Sequence, residues 1–139
     1  MVAIIASILV VGMYPVPANA VEYLQPKLYK VTPSTWGAAG AETVVEKTSV
    51  KLTFDCANGE IPLTLKRDRK GNFKVEGTYT RRGFGPIRIN NPPKIQPAVY
   101  EGKVSGRSMR FKITVIATGD VVGVFRVTRG QEANIHGCK

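Results

Sequence analysis

Residues 47–54 (KTSVKLTF) alternate apolar and polar side chains at the period of a β-strand, with Val50, Leu52 and Phe54 on one face. Successive side chains of a strand point to opposite sides, so this alternation predicts a strand with one buried face. The Asn58-Gly59 pair that follows is typical of the tight turns that close hairpins. The segment therefore predicts the first strand and the first hairpin turn of a folded domain.

Six further segments with strand character follow, and glycine, proline or charged residues separate them. They are residues 60–66, 73–80, 86–90, 98–106, 107–117 and 121–130. No segment shows the period of a convincing amphipathic helix. The pattern predicts an all-β fold: a small antiparallel β-barrel, or a sandwich, of about 7–8 strands. We prefer the barrel because its closure leaves no exposed sheet edges.

The N-terminal part of the chain departs from this pattern. Residues 1–20 carry no charged side chain, are mostly apolar and end in Ala18-Asn19-Ala20, which is typical of a cleaved secretory signal peptide. The apolar run is about a dozen residues, whereas a spanning helix needs about 20, so we expect no stable membrane span. Residues 21–46 lack a clear period and are predicted to form an extended arm before a barrel domain at residues 47–139. We expect an exported protein, periplasmic or extracellular.

The chain has two cysteines, Cys56 and Cys138. In the oxidising compartment that export implies, two cysteines most simply form one disulfide, and two separate thiols are the alternative. A bridge would close the barrel by tying the last segment to the first hairpin, and would stabilise the fold by roughly 4 kcal/mol. Two cysteines and the single His136 are too few for a zinc site, so we expect no metal and no cofactor.

The charge balance indicates the class of partner. Twenty basic and ten acidic residues give a net charge of +10, and none of them lies in the predicted signal peptide. This balance favours an anionic envelope polymer, a lipid headgroup or an acidic protein as partner, and charges scattered for solubility are the alternative. The predicted anion-binding residues come from the segment TRRGFGPIRI and from strands that would share an outer face. They are Arg81, Arg82, Arg88, Lys103, Arg110, Lys112 and Arg126.

The sequence does not indicate catalysis. His136 lies in a polar tail, without the acid and the free nucleophile that a triad needs. Glu76 and Glu101 point away from the predicted core beside lysines, which is typical of surface ion pairs. Phosphate-binding glycine motifs are absent, and the aromatic residues share the core-facing register rather than an exposed one, which argues against nucleic acid. We predict a non-enzymatic protein with no catalytic residues.

Several motifs together resemble a family of small exported bacterial β proteins with no assigned activity. They are TWG, FDCANG, GNFKVEGTY, GPIRI, AVYEGKVSG with a following methionine, VGVFRVTRG and a terminal cysteine. This resemblance covers residues 36–138 and implies a shared fold rather than a chemical site. One departure is the Gly37-Ala38-Ala39-Gly40 segment, where the family has a tighter glycine pair, and this leaves the register near residues 37–46 open.

Two further resemblances supply alternative functions. The early cysteine and the terminal cysteine are similar to those of exported inhibitors of C-type lysozyme, which implies a hydrolase inhibitor, although the inhibitory Ser-Gly-x-x-Tyr loop is missing. The strand pattern also resembles that of avidin and lipocalin barrels, which implies a small-ligand carrier. Its pocket would be lined by Phe73, Tyr79, Tyr100 and Phe111. The favoured hypothesis is an exported binding module with a basic surface, and the sequence carries no signal for an oligomeric state.

Overall fold

A computed structural model describes residues 27–82 and 94–137. Within these ranges the chain forms ten β-strands and no helix. They are β1 (Tyr29–Lys30), β2 (Ser34–Ala38), β3 (Ala41–Val45), β4 (Val50–Phe54), β5 (Ala57–Ile61), β6 (Lys66–Arg67), β7 (Asn72–Arg81), β8 (Ile95–Ser105), β9 (Ser108–Val115) and β10 (Val121–Arg129). Eight of them form a closed antiparallel barrel in the order β10-β2-β3-β4-β5-β7-β8-β9, and β1 pairs with β6 alone. The prediction of an all-β antiparallel barrel is confirmed.

Some sequence predictions lie outside the described residues. These are the signal peptide at residues 1–20, the start of the arm, the short strand at residues 86–90 with Arg88, and Cys138. In the part of the chain that the structure describes, no helix is long and apolar enough to cross a membrane.

The N-terminal barrel strands correct one prediction. Residues 21–46 are predicted to form an arm outside the barrel, but residues 34–45 contain β2 and β3, so this part of the prediction is wrong. Trp36 of β2 is 2% exposed and belongs to the core. The segment hides its period because residues 37–40 have almost no side chains to alternate, and Gly40, with φ at 79°, makes a tight turn. A hydrophobic pattern cannot reveal a strand built from such small residues.

The turn between β4 and β5 lies earlier than predicted. Phe54 pairs with Ala57 across the turn, and the Asn58-Gly59 pair lies inside β5, so the turn predicted there is wrong. Gly59 is needed for a different reason, because a Cβ at this position would overlap the hydroxyl group of Tyr100. A glycine that permits close packing has the same appearance in a sequence as a glycine that permits a turn.

The strand predicted at residues 60–66 also ends early. β5 stops at Ile61, because the next residue is Pro62, which has no N–H group to continue the ladder. Leu63 is 54% exposed, whereas Leu65 is buried and accepts a hydrogen bond at its carbonyl oxygen from the N–H of Val31, at 2.9 Å. The two-stranded ribbon of β1 and β6 is therefore joined to the barrel core through Val31 and Leu65.

The alternation of the later strands is confirmed. On β9 the residues Met109, Phe111, Ile113 and Val115 are buried, while Arg110 and its outward neighbours are exposed. Aromatic rings pack inside the barrel, with ring centroids of Phe54, Phe111 and Phe125 between 4.6 and 6.4 Å apart. Burial of these side chains is the main stabilising contribution that the alternation provides.

Tyr100 carries a buried polar group at the centre of this packing. Its hydroxyl donates a hydrogen bond of 2.6 Å to the carbonyl oxygen of Thr78. Gly59 and Gly77 leave room for the ring, since a Cβ on either would contact it. Burial raises the pKa of the Tyr100 phenol well above its usual value, and the nearby Tyr79 adds to this effect. The folded barrel therefore favours the neutral phenol.

Changing Tyr100 to phenylalanine is expected to lower the free energy of unfolding by about 1 kcal/mol at neutral pH, because the hydrogen bond is lost and the Thr78 carbonyl is left without it. The folded-state pKa of Tyr100 is raised, so its contribution is fully present below the unfolded value near 10 and is lost as pH rises above that value. Urea unfolding at neutral pH and at a pH near 11 should show a steeper loss of stability in the wild type than in the variant. The same change at the exposed Tyr29 is the control, and an equal pH slope in the two variants would contradict the buried phenol.

The C-terminal segment completes the wall of the barrel. β10 and β2 share two residue pairs, Thr128 with Gly37 and Arg129 with Trp36. Past this seam the chain runs alongside β2, where Asn134 forms a parallel bridge with Ala39. The N–H of His136 then donates to a carboxylate oxygen of Asp55 at 2.8 Å. The last described residues thus return to the turn between β4 and β5, 81 residues away in the sequence.

Candidate functional site

Three of the predicted anion-binding residues lie side by side across neighbouring strands. Lys103 of β8 pairs with Arg110 of β9, which pairs with Arg126 of β10. All three are exposed on the outer face of the barrel. We call Lys103, Arg110 and Arg126 the basic row. Residues that pair directly have Cβ atoms about 5 Å apart, so the three charges lie within reach of a single anionic surface.

A fourth predicted residue, Lys112, lies in the next row of the same face. It pairs with Glu101 of β8, which in turn pairs with Lys74 of β7. Lys112 is two residues from Arg110 on β9, about 7 Å along the strand. The single carboxylate in this row sits between two lysines, so the row adds a net positive charge to the face.

The basic row is electrostatically unfavourable within the fold. Like charges directly opposite each other on a sheet are destabilising. Over residues 27–82 and 94–137 an ion pair joins Lys51 to Glu46 at 3.9 Å, and none reaches Lys103, Arg110 or Arg126. A surface that served solubility alone could alternate its charges along the row at no cost. The row is therefore a surface that an external anion would stabilise.

A groove of about 1000 Å³ crosses this face. One set of its bounding residues is cationic: Lys66, Lys74, Lys103, Arg110 and Lys112. Two carboxylates, Asp68 and Glu101, also border it. Leu28, Leu63 and Val124 border the same groove and are 52–54% exposed, which leaves about half of each side chain in contact with water. We call this feature the basic groove, and it combines positive charge with exposed apolar surface.

The structure does not bring Arg81 and Arg82 to this face. Arg81 lies at the end of β7, whereas Lys103 pairs with Asn72 at its start, about 30 Å away along the strand. Arg82 follows Arg81, and its N–H donates to the carbonyl oxygen of Cys56 at 2.8 Å. Arg88 lies outside the described residues. The seven predicted residues therefore do not form one site.

The predicted pocket of four aromatic residues is also corrected. Phe73, Tyr100 and Phe111 are buried in the core, and the hydroxyl of Tyr100 is bonded to Thr78. Phe73 and Phe111 also border the basic groove, whereas Tyr100 does not. Tyr79 borders a different opening, at the end of the barrel where Asp55 lies, so the four residues do not line one pocket. This second cavity measures about 610 Å³, and its lining includes Phe54 and Phe125. Inward-facing aromatic residues fill a barrel as readily as they line a pocket, and the sequence does not separate the two.

Two further cations border the basic groove, Lys66 and Lys74, and neither is among the seven predicted anion-binding residues. Lys74 is predicted to face outward by alternation, but its position beside Glu101 depends on the register of β7 against β8. Lys66 borders the groove because the β1–β6 ribbon folds back beside the barrel. The run of charged residues at 66–70, which follows Pro62, is the one signal in the sequence that indicates a charged surface at Lys66.

The remaining chemistry of the described residues is limited. Residues 27–82 and 94–137 contain no group of three or more histidine, cysteine, aspartate or glutamate residues placed to hold a metal ion. His136 is exposed, and its backbone rather than its ring contacts Asp55. Comparison of the chain with protein-family models, with curated proteins and with solved structures found no match. The geometry of the charged face is therefore the basis for any functional proposal.

Proposed function

We propose that the protein is an exported, non-enzymatic binding module that holds an anionic envelope component on the basic row and basic groove. The observation that carries the proposal is the in-register alignment of Lys103, Arg110 and Arg126, exposed and without an ion pair among the described residues. Such an arrangement lowers the stability of the free protein, and a bound anion would offset the repulsion between the three charges.

Among the anionic partners, the groove favours one with an apolar part. Leu28, Leu63 and Val124 are more than half exposed at the border of the same groove that carries the cations. A soluble polyanion would leave these side chains in water. A lipid headgroup region offers phosphate charge and adjacent hydrocarbon together, and each basic residue near an anionic membrane contributes about 1 kcal/mol. We therefore favour an anionic lipid surface over an acidic polymer or protein.

Sedimentation with lipid vesicles tests this function. The mature chain should bind vesicles of phosphatidylglycerol and not those of phosphatidylcholine, and binding should weaken strongly between about 50 and about 500 mM salt because exposed charges are screened over that range. Binding to soluble polyphosphate under the same conditions measures the purely electrostatic part. Equal binding to both kinds of vesicle, or no response to salt, would remove the proposal.

A second function is favoured by the cavity at the Asp55 end of the barrel. Its volume of about 610 Å³ is in the range of small-ligand sites, and Phe54, Tyr79 and Phe125 give it apolar surface. Asp120 and Arg81 border it as polar groups. Saturable binding of a neutral apolar probe, unaffected by salt, would favour a small-ligand carrier over the module proposed above.

We also propose that Cys56 and Cys138 form the disulfide that closes the fold. The support is the hydrogen bond between the N–H of His136 and Asp55, at 2.8 Å. Asp55 is the residue before Cys56, and His136 is two residues before Cys138. The chain therefore approaches the first cysteine just before it reaches the second.

Thiol titration of the unfolded, unreduced mature chain is expected to detect fewer than one reactive thiol per molecule. Reduction should expose two, and should lower the free energy of unfolding by roughly 4 kcal/mol, because the bridge restricts a long loop in the unfolded state. The control is the Cys56→Ser and Cys138→Ser double variant, which should match the stability of the reduced protein. Two reactive thiols before reduction would contradict the disulfide.

A further inference from the structure

A second cationic feature lies at the end of the barrel where β1 and β6 pair. It is a cavity of about 310 Å³ between the β1–β6 ribbon, the turn before β7 and the end of β10. Five basic residues border it: Lys30, Arg67, Arg69, Lys70 and Arg129. Among the described residues that border the cavity there is no carboxylate. Its composition thus differs from that of the basic groove, which contains Asp68 and Glu101.

Successive side chains of the segment Lys66-Arg67-Asp68-Arg69, which runs from β6 into the following turn, border the two features in turn. Lys66 and Asp68 border the basic groove, whereas Arg67 and Arg69 border the cavity. This charged segment therefore presents Asp68 to the basic groove and its two arginines to the cavity. The arginines therefore border the cavity, while the carboxylate of Asp68, which lies between them in the chain, borders the groove.

Hydrogen bonds hold the turn that carries Arg69 and Lys70. A carboxylate oxygen of Asp68 accepts the N–H groups of Lys70 and Asn72, at 2.9 and 2.8 Å. The Asn72 N–H, aided by that of Lys70, holds the pKa of Asp68 below its usual value. Gly71 completes the turn with φ at 95°, and a Cβ there would overlap the carbonyl oxygen of Val104. The only acidic group of the turn is thus engaged with backbone N–H groups.

The concentration of positive charge in the cavity is unfavourable without a ligand. Lys30 of β1, which borders the cavity, pairs directly with Lys66 of β6, which borders the basic groove, so like charges lie opposite each other where the two features meet. The guanidinium of Arg67 lies 5.5 Å from the ring of Tyr29 and donates a hydrogen bond to the backbone carbonyl oxygen of Asp68 at 3.1 Å, so neutral groups rather than a carboxylate hold this arginine. Guanidinium groups bind phosphate oxygens in pairs, and a phosphate monoester carries about two negative charges.

We propose that this cavity is a binding site for a phosphate monoester or pyrophosphate group, independent of the basic row. Its volume is at the lower end of the range for small-ligand sites, which suits one or two phosphates rather than a large organic molecule. The group could belong to a free phosphate compound or to a lipid headgroup that ends in a phosphate monoester. The proposal goes beyond the lipid-surface function, since it uses a different set of residues.

Calorimetric titration of the full mature chain with sodium pyrophosphate tests the site. At low salt the wild type should bind one pyrophosphate saturably, and acetate at the same concentration should not bind. Replacing Arg69 and Lys70 by glutamine should weaken binding about 100-fold, since each lost charge-assisted hydrogen bond costs about tenfold or more. Both residues are exposed on a turn, so the variant is expected to keep the wild-type circular dichroism spectrum.

The control variant removes two charges from exposed positions that border neither the cavity nor the basic groove, as Lys47→Gln with Lys94→Gln, and should retain pyrophosphate binding within about threefold. A second arm compares vesicles of phosphatidic acid with those of phosphatidylglycerol. A preference for phosphatidic acid that depends on Arg69 and Lys70 would identify a lipid source, and binding of free pyrophosphate would identify a soluble one. Absence of both, or equal losses in the two variants, would overturn the site while leaving the lipid-surface function to its own test.

Discussion

Replacing Trp36 with alanine is expected to lower the free energy of unfolding by about 3–5 kcal/mol, a large part of the stability of a domain of this size. The side chain is 2% exposed, and its indole N–H donates to the hydroxyl of Ser34 at 2.8 Å. Trp36 also lies at the seam where β2 meets β10, which has only two residue pairs. The cavity left by the substitution would therefore open at the weakest join of the barrel wall.

Urea unfolding followed by far-ultraviolet circular dichroism measures this effect, because Trp36 is the only tryptophan and its removal abolishes the fluorescence signal. Val124→Ala on β10 is the control, since Val124 is 52% exposed and its truncation should change stability by about 0.5 kcal/mol or less. A loss of less than about 1 kcal/mol for Trp36→Ala would contradict the role of this residue in closing the barrel.

The strands that the sequence predicts correctly are those in which large apolar residues alternate with charges. β9 is the best example, since Met109, Phe111 and Ile113 face the core and Arg110 faces water, as the pattern requires. Burial on one face fixes such a strand strongly, because a shift by one residue would expose its whole apolar face. The all-β class and the barrel follow from several strands of this kind.

The strands that the sequence misses are those in which glycine and alanine replace large side chains. β2 ends in Gly37 and Ala38, and a Cβ at Gly37 would overlap the backbone carbonyl oxygen of Gln131 in the C-terminal segment. The absence of a side chain at Gly37 therefore allows that segment to pack against β2. Close approach between distant parts of a chain leaves no period in the sequence, so neither the strand nor its partner could be predicted.

The candidate site was predictable in part. Alternation alone indicates that Lys103, Arg110 and Arg126 face outward. Their alignment in a single row depends on the lengths of the turns between β8, β9 and β10, and on a register shift between Val121 and Gly123. The cavity beside Arg69 depends on the fold-back of the β1–β6 ribbon, which no local pattern encodes. A charged site that spans several strands can be identified only when the pairing register of those strands is known, because the register decides which side chains lie next to each other.

Replacing Lys103, Arg110 and Arg126 together by glutamine is expected to weaken binding to phosphatidylglycerol vesicles about 100-fold, because each residue contributes about 1 kcal/mol at an anionic surface. The same variant should be as stable as the wild type or more stable, since the repulsion between paired like charges is removed. Weaker binding without a loss of stability is the result expected when residues are retained for function rather than for the fold.

The charge-matched control removes three positive charges from other exposed positions, as Lys47→Gln, Lys51→Gln and Lys94→Gln. None of these residues borders the basic groove. Because both triple variants have the same net charge, a difference between them reports the position of the charges and not their number. The control should bind the vesicles within about fivefold of the wild type, since screening limits the effect of distant exposed charges.

The most direct measurement of the central claim is therefore the dissociation constant of the two triple variants and the wild type for phosphatidylglycerol vesicles at about 0.1 M salt, where the Debye length is about 10 Å. The account predicts a loss of about 100-fold for the variant of the basic row and a small loss for the control. Equal losses in the two variants would show that net charge alone drives binding, and would contradict a binding site at Lys103, Arg110 and Arg126.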